Sequence, residues 1–120
     1  MAKRHTNYTR GTGCPVEAAL EIIGGKWKGG VVYHLLSGEL RFMELQRRMP
    51  TVSQRILSKA LRELEADGVI LRTVYPTVPP QVGYRLTADG ESLRAAVLSL
   101  REWGARRVAP PQAALATAAE

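Results

Sequence analysis

The stretch SQRILSKALREL, residues 53–64, limits the fold more than any other part of the chain. At about 100° per residue, Ile56, Leu57, Ala60, Leu61 and Leu64 fall within an arc of about 140°. That pattern predicts a helix with a broad core-facing stripe. The opposite arc carries Arg55, Ser58, Lys59 and Arg62, three cations and a short hydroxyl with no acid among them. Ordinary solvated faces mix both signs, so this one implies an anionic partner.

The totals point the same way. A chain of 120 residues is one domain by size, with a real but modest core. Seventeen Lys and Arg against eleven Asp and Glu give a net charge of +6. Such a balance suits a polyanion, either nucleic acid or an acidic membrane surface. Its distribution is more telling: Arg41, Arg47, Arg48, Arg55, Lys59 and Arg62 stand within one short span against Glu44 alone, a local excess of five. No apolar run approaches the roughly 20 residues of a membrane span, and MAKRHTNYTR lacks the apolar middle of a secretion signal. A cytoplasmic protein with no membrane partner is expected. The lone Cys14 excludes an internal disulfide framework, and His5 and His34 beside it do not make a zinc site. No metal and no cofactor is expected.

Element by element, residues 1–13 are polar, basic and broken by Gly11 and Gly13, and read as a flexible arm. Pro15 suits a first helical turn, and Val16, Ala19, Leu20 and Ile23 recur at helical spacing up to Gly24-Gly25. KWKGGVVYHLL predicts a second helix ending at Ser37-Gly38, in which Gly29 and Gly30 each cost about 1 kcal/mol against Ala unless a close approach requires them. ELRF predicts a brief strand. Phe42, Leu45, Gln46 and Met49 predict a short helix stopped by Pro50, and Ser53 or Thr51 can cap the charged helix that follows. Two helices joined by a turn of three or four residues form a helix-turn-helix.

VILRTVY and VGYRLT flank the loop PTVPPQ and predict a hairpin. Symmetric closure sets Tyr75 against Val82 and Arg72 against Arg85, a like-charge pair that is unfavourable unless an anion lies beside it. Thr87 or Asp89 can cap a last helix whose stripe is Leu93, Val97, Leu100 and Trp103. Residues 108–120 carry too little large apolar surface to fold alone and read as a mobile tail. The fold class is therefore α+β, mainly α. It is a winged helix-turn-helix over residues 14–107, with extra N- and C-terminal dimerisation helices.

Taken together, CPVEAALEIIGGKWK, RFMELQRRMPTVSQRILSKALRELEADGVILRTVYPTVPPQVGYRLTADGESL and LREWG resemble the HxlR-type, MarR-like branch of bacterial winged-helix regulators over roughly residues 14–104. The resemblance implies a homodimeric transcription factor, commonly a repressor, acting on a palindromic operator. Gly29-Gly30 and Gly83 depart from the family pattern, which has larger residues at the first place and an acid at the second. The resemblance also implies a role for Cys14, since the cysteine of the CPV motif serves some members as a sensor of electrophiles, quinones or hypochlorite.

The residues support specific roles within that frame. A recognition helix shows short polar or cationic side chains to base edges near its start, which Ser53, Gln54, Arg55, Ser58, Lys59 and Arg62 provide. Arg55 suits guanine, Gln54 suits adenine, and Arg62 lies farther along, at phosphate. Arg47 and Arg48 precede the turn and suit phosphate. Arg72 and Arg85 are the cations available to a wing whose loop has none. At a helix start near Arg10, the dipole favours the reactive form of Cys14, which can pair with its twin across a dimer or with a small thiol; packing at the dimer seam is its plainer use. Val16 and Leu20 with Leu93, Val97, Leu100 and Trp103 make the expected dimer seam. Trp27, Tyr33 and Trp103 are expected to fill core rather than line an effector pocket, although a small-molecule or oxidant effector fits the resemblance. A protein-interaction module is the competing function. An enzyme needs a nucleophile with a base, paired carboxylates or a phosphate loop, and none is legible. A thiol-dependent enzyme on Cys14 would lack a resolving cysteine and an acid.

Overall fold

The computed structural model describes residues 13–108; the rest of the predicted arm and tail lies outside the described residues. Six helices and three strands run in the order α1 (Pro15–Ile23), α2 (Lys28–Leu35), β1 (Leu40–Arg41), α3 (Phe42–Arg48), α4 (Gln54–Ala66), β2 (Ile70–Tyr75), β3 (Gln81–Leu86), α5 (Ala88–Glu91) and α6 (Arg94–Ala105) among the described residues. The strands form one antiparallel sheet in the order β1-β3-β2. The predicted winged helix-turn-helix is the fold.

Alternate apolar spacing becomes a core wherever two stripes meet. Val31, Val32 and Leu35 of α2, Leu45 of α3, Leu57, Leu61 and Leu64 of α4, and Val69 and Ile70 at the start of β2 are all buried. Filling these positions removes most of their surface from water, at roughly 1.5–3 kcal/mol for each large side chain. Gly30 of α2 has a local reason. A Cβ at Gly30 would lie 3.3 Å from Met49 Cε, so the small residue admits the Met49 side chain at the end of α3.

Two expectations are corrected. The hairpin pairs Tyr75 with Gln81, Val74 with Val82, Arg72 with Tyr84 and Leu71 with Arg85, one residue away from symmetric closure of PTVPPQ. The loop spans residues 76–80 and is tied by Thr77 N–H to the Tyr75 carbonyl (2.8 Å) and by Thr77 Oγ1 to the Pro79 carbonyl (2.8 Å). This register turns Ile70, Tyr84 and Leu86 toward the core cluster and puts Arg72 and Arg85 on opposite faces of the wing, so they are not a cross-strand pair.

The last predicted helix is two helices. Thr87 accepts the Gly90 N–H (3.0 Å) to cap the single turn α5, and its hydroxyl reaches the Gly68 carbonyl (2.6 Å). Gly90 lies so close to Val69 that a Cβ would overlap the Val69 carbonyl oxygen. The chain therefore turns before α6 begins. Of the predicted stripe, Val97 is buried within the chain and Leu93 packs on the core, while Leu100 and Trp103 are exposed. Trp103 thus fills no core here; its ring carries the Arg107 guanidinium at 4.4 Å. Among the described residues no helix is long and apolar enough to cross a membrane.

Candidate nucleic-acid interface

Helix α4 begins where Ser53 Oγ accepts the Ile56 N–H (3.2 Å). The turn that delivers it is residues 49–53, longer than the three or four residues expected, and is held by Gln46 Nε2 donating to the Val52 carbonyl (3.1 Å), with Met49 and Val52 buried beneath. Burial of Leu57, Ala60, Leu61 and Leu64 against the core fixes the rotation of α4. Ser53, Gln54, Arg55, Lys59 and Arg62 consequently face outward, with Ser58 half-buried between them. Ile56 is also outside the core, 45 % exposed, so the apolar arc is narrower than the spacing predicts. Its neighbours α2 and β2 cover only the leucine side.

Arg55, Lys59 and Arg62 form no ion pair with any described residue. Farther round, Glu63 lines a cleft with Arg55, Lys59 and Arg62 and is paired with Lys28 (2.8 Å). Phe42, at the first turn of α3, joins this face to the wing. It lines one shallow cleft with Gln54, Arg55 and Ser58, and a second with Arg41, Arg47, Gln81 and Val82. A continuous surface therefore runs from the start of α4, across α3, to the end of the wing.

The predicted residues divide on this surface. Ser53, Gln54, Arg55, Ser58, Lys59 and Arg62 are brought together on α4, and Arg47 lines the neighbouring cleft that shares Phe42 with them. Arg48 is not: one position along α3, it points to a separate cleft with Tyr33, His34, Ser37 and Arg94, and donates to Ser37 Oγ (3.3 Å). Arg85 and Arg72 project from opposite wing faces. Arg41 and Phe42 also line these clefts and were not among the expected contact residues, although the local charge excess already includes Arg41. Cys14 is exposed at the cap position of α1, its side chain making no cap bond, and Arg10 lies outside the described residues. Groups of three or more His, Cys, Asp or Glu able to hold a metal are absent among the described residues.

Comparison with known proteins agrees with this architecture. The family model described as HxlR-like helix-turn-helix matches residues 22–112. The uncharacterised HTH-type transcriptional regulator YybR of Bacillus subtilis is 49 % identical over 104 residues, covering 87 % of this chain and 83 % of that protein. The redox regulator HypR in its oxidised form superimposes with a TM-score of 0.74 at 53 % identity, over 76 % of this chain and 94 % of that one. The reduced form of the transcriptional regulator YodB from B. subtilis gives a TM-score of 0.68 at 33 % identity, over 79 % and 94 %. With a winged helix-turn-helix, a bare cationic α4 face and these matches, the chain belongs to the HxlR-like helix-turn-helix family of transcriptional regulators.

Proposed function

We propose that this regulator binds a palindromic operator as a homodimer, acts as a repressor, and responds to oxidants through Cys14. The carrying observation is the α4 face, whose three cations have no ion partner among the described residues and whose surface continues across Phe42 to the wing. Arg55 reads guanine and Gln54 reads adenine in the major groove, each worth roughly 1–3 kcal/mol of discrimination. Arg47, Lys59 and Arg62 meet phosphate, with Ser53 and Ser58 close to the bases. Arg85 and Arg72 reach phosphate from the wing.

Dimerisation supplies the second half-site. Val16 and Leu20 on α1 are 65 % and 56 % exposed, and Leu100 and Trp103 on α6 are 57 % and 54 % exposed. Large apolar side chains left out of the core on both terminal helices suit a seam between two copies, and a two-fold pair presents its recognition helices one DNA turn apart. Occupancy of an operator that overlaps a promoter excludes polymerase. Cys14 is exposed near that seam's α1 side, and similarity to HypR, a redox regulator, supports its sensing role. Two such thiols from two copies, or one such thiol and a small thiol, would give two electrons and two protons to an oxidant as the S–S bond forms.

A gel-shift titration on DNA from upstream of the protein's own coding region tests this. Affinity is expected to fall at least about a hundredfold between about 50 and 200 mM salt, because several phosphate contacts release counterions. Mild oxidant is expected to alter binding by the wild type and leave Cys14→Ser unaffected. No binding at low salt contradicts the DNA reading, and an equal oxidant response in Cys14→Ser contradicts the sensor reading alone.

A further inference from the structure

The outer face of the wing contains an acid lying among cations. Register sets Arg41 opposite Gly83 and Gly83 opposite Thr73, and strand alternation puts Arg85 and Tyr75 on that same face. Having no side chain, Gly83 leaves a trough in the sheet, and the Glu39 side chain lies across it. A Cβ at Gly83 would overlap the Glu39 carboxylate. At the far end the Tyr75 hydroxyl donates to Glu39 Oε2 at 2.6 Å.

Register and alternation set both arginines on the sheet face that carries that hydroxyl. The bond to Glu39 raises the Tyr75 pKa above its ordinary value, burial adds to the rise, and the charges of Arg85 and Arg41 oppose it. Yet neither guanidinium forms an ion pair with a described residue. Among the described residues, the bond at Arg41 with an acid is its backbone N–H donated to Glu44 Oε1 (2.9 Å). A carboxylate that shares a sheet face with two arginines is ordinarily drawn into a charge-assisted, often bidentate pair with one of them. Here the tyrosine holds it instead. An arginine already paired within its own chain must break that pair before it can meet phosphate.

We propose that Tyr75 is a positioning residue for DNA binding: by anchoring the Glu39 carboxylate over Gly83, it keeps Arg41 and Arg85 free for backbone phosphates. The proposal rests on the DNA-binding reading above. It also accounts for a wing whose loop, PTVPP, has no cation of its own. The contacting charges sit at the strands, and their availability is set by where one acid is tied.

The test compares wild type, Tyr75→Phe, Glu39→Gln and the double variant by fluorescence anisotropy on a labelled duplex from upstream of the coding region, across a salt series. Tyr75→Phe releases Glu39 to pair with an arginine. Its affinity is expected to fall roughly fivefold, about the worth of one surface ion pair, and its plot of log affinity against log salt to become shallower by about 0.9, one phosphate contact. Adding Glu39→Gln is expected to restore both quantities, whereas a wing merely loosened by loss of the bond would stay weak, since Glu39→Gln cannot rebuild it. Gly83→Ala, which displaces the carboxylate from the other side, is expected to lose affinity alike and be restored alike, and serves if Tyr75→Phe fails to fold. Unchanged affinity and slope in Tyr75→Phe and Gly83→Ala, or a loss that Glu39→Gln does not restore, overturns the proposal. Absence of binding by the wild type overturns the DNA-binding reading and this proposal with it; binding by the wild type with unaltered variants overturns this proposal alone.

Discussion

His34 shows how one residue's surroundings reach a measurable property. It stands half-buried at the end of α2, edge-on to Tyr33 with ring centroids 5.2 Å apart, in the cleft that Arg48 and Arg94 also line. Burial, and then the Arg48 charge, lower its pKa from the ordinary 6.5. The folded protein therefore holds fewer protons on this imidazole than the unfolded chain. Above the ordinary value both states are neutral and the group contributes nothing. As pH falls through 6.5 the unfolded chain takes up a proton that the folded one refuses, so stability drops. Thermal melts at about pH 7.5 and about pH 5.5 should show a larger loss for wild type than for His34→Gln; equal losses would contradict the assignment. The sequence places His34 on a helix, but Arg48 arrives from another element, so its effect is invisible before the fold. The same holds for Glu39 and Tyr75, 36 positions apart in the chain and joined by one hydrogen bond.

At the scale of elements, local chemistry wrote most of the architecture into the chain. The Ser53 cap, the leucine stripe of α4, the stop at Pro50 and the two strands around the proline-rich loop are all readable because each depends on neighbours within a few positions. Register and the break between α5 and α6 are not, because they depend on contacts across the sheet. Thr77 closes the loop one residue early, and Gly90 tucks under Val69. Two glycines separate these effects. Gly90→Ala is expected to destabilise the protein by about 2 kcal/mol, since a methyl group would strike the Val69 carbonyl. Gly104→Ala, in α6, meets open space and is expected to stabilise by about 0.5 kcal/mol through helix propensity. Urea unfolding of both variants checks the pair; equal shifts of one sign would contradict it.

For the whole molecule, the features that matter are those a single copy leaves unfinished. The charge excess between Arg41 and Arg62 was legible from its distribution along the chain as a feature suited to a polyanion, and α4 presents its share of it outward. Which arginines share the surface was not, because Arg47 and Arg48 diverge only once α3 is set against α2 and the wing. In the function proposed above, the exposed Val16, Leu20, Leu100 and Trp103 meet a second copy, and that copy fixes the spacing between recognition helices. Selection of bound duplexes from a random-sequence pool, by wild type and by Arg55→Ala, tests both ideas in one measurement. Wild type is expected to return a two-fold symmetric motif with half-sites about 10 bp apart, and Arg55→Ala to lose preference at one guanine of each half-site. A wild-type pool without enrichment, an asymmetric single site, or the same motif returned undiminished by Arg55→Ala would contradict this expectation.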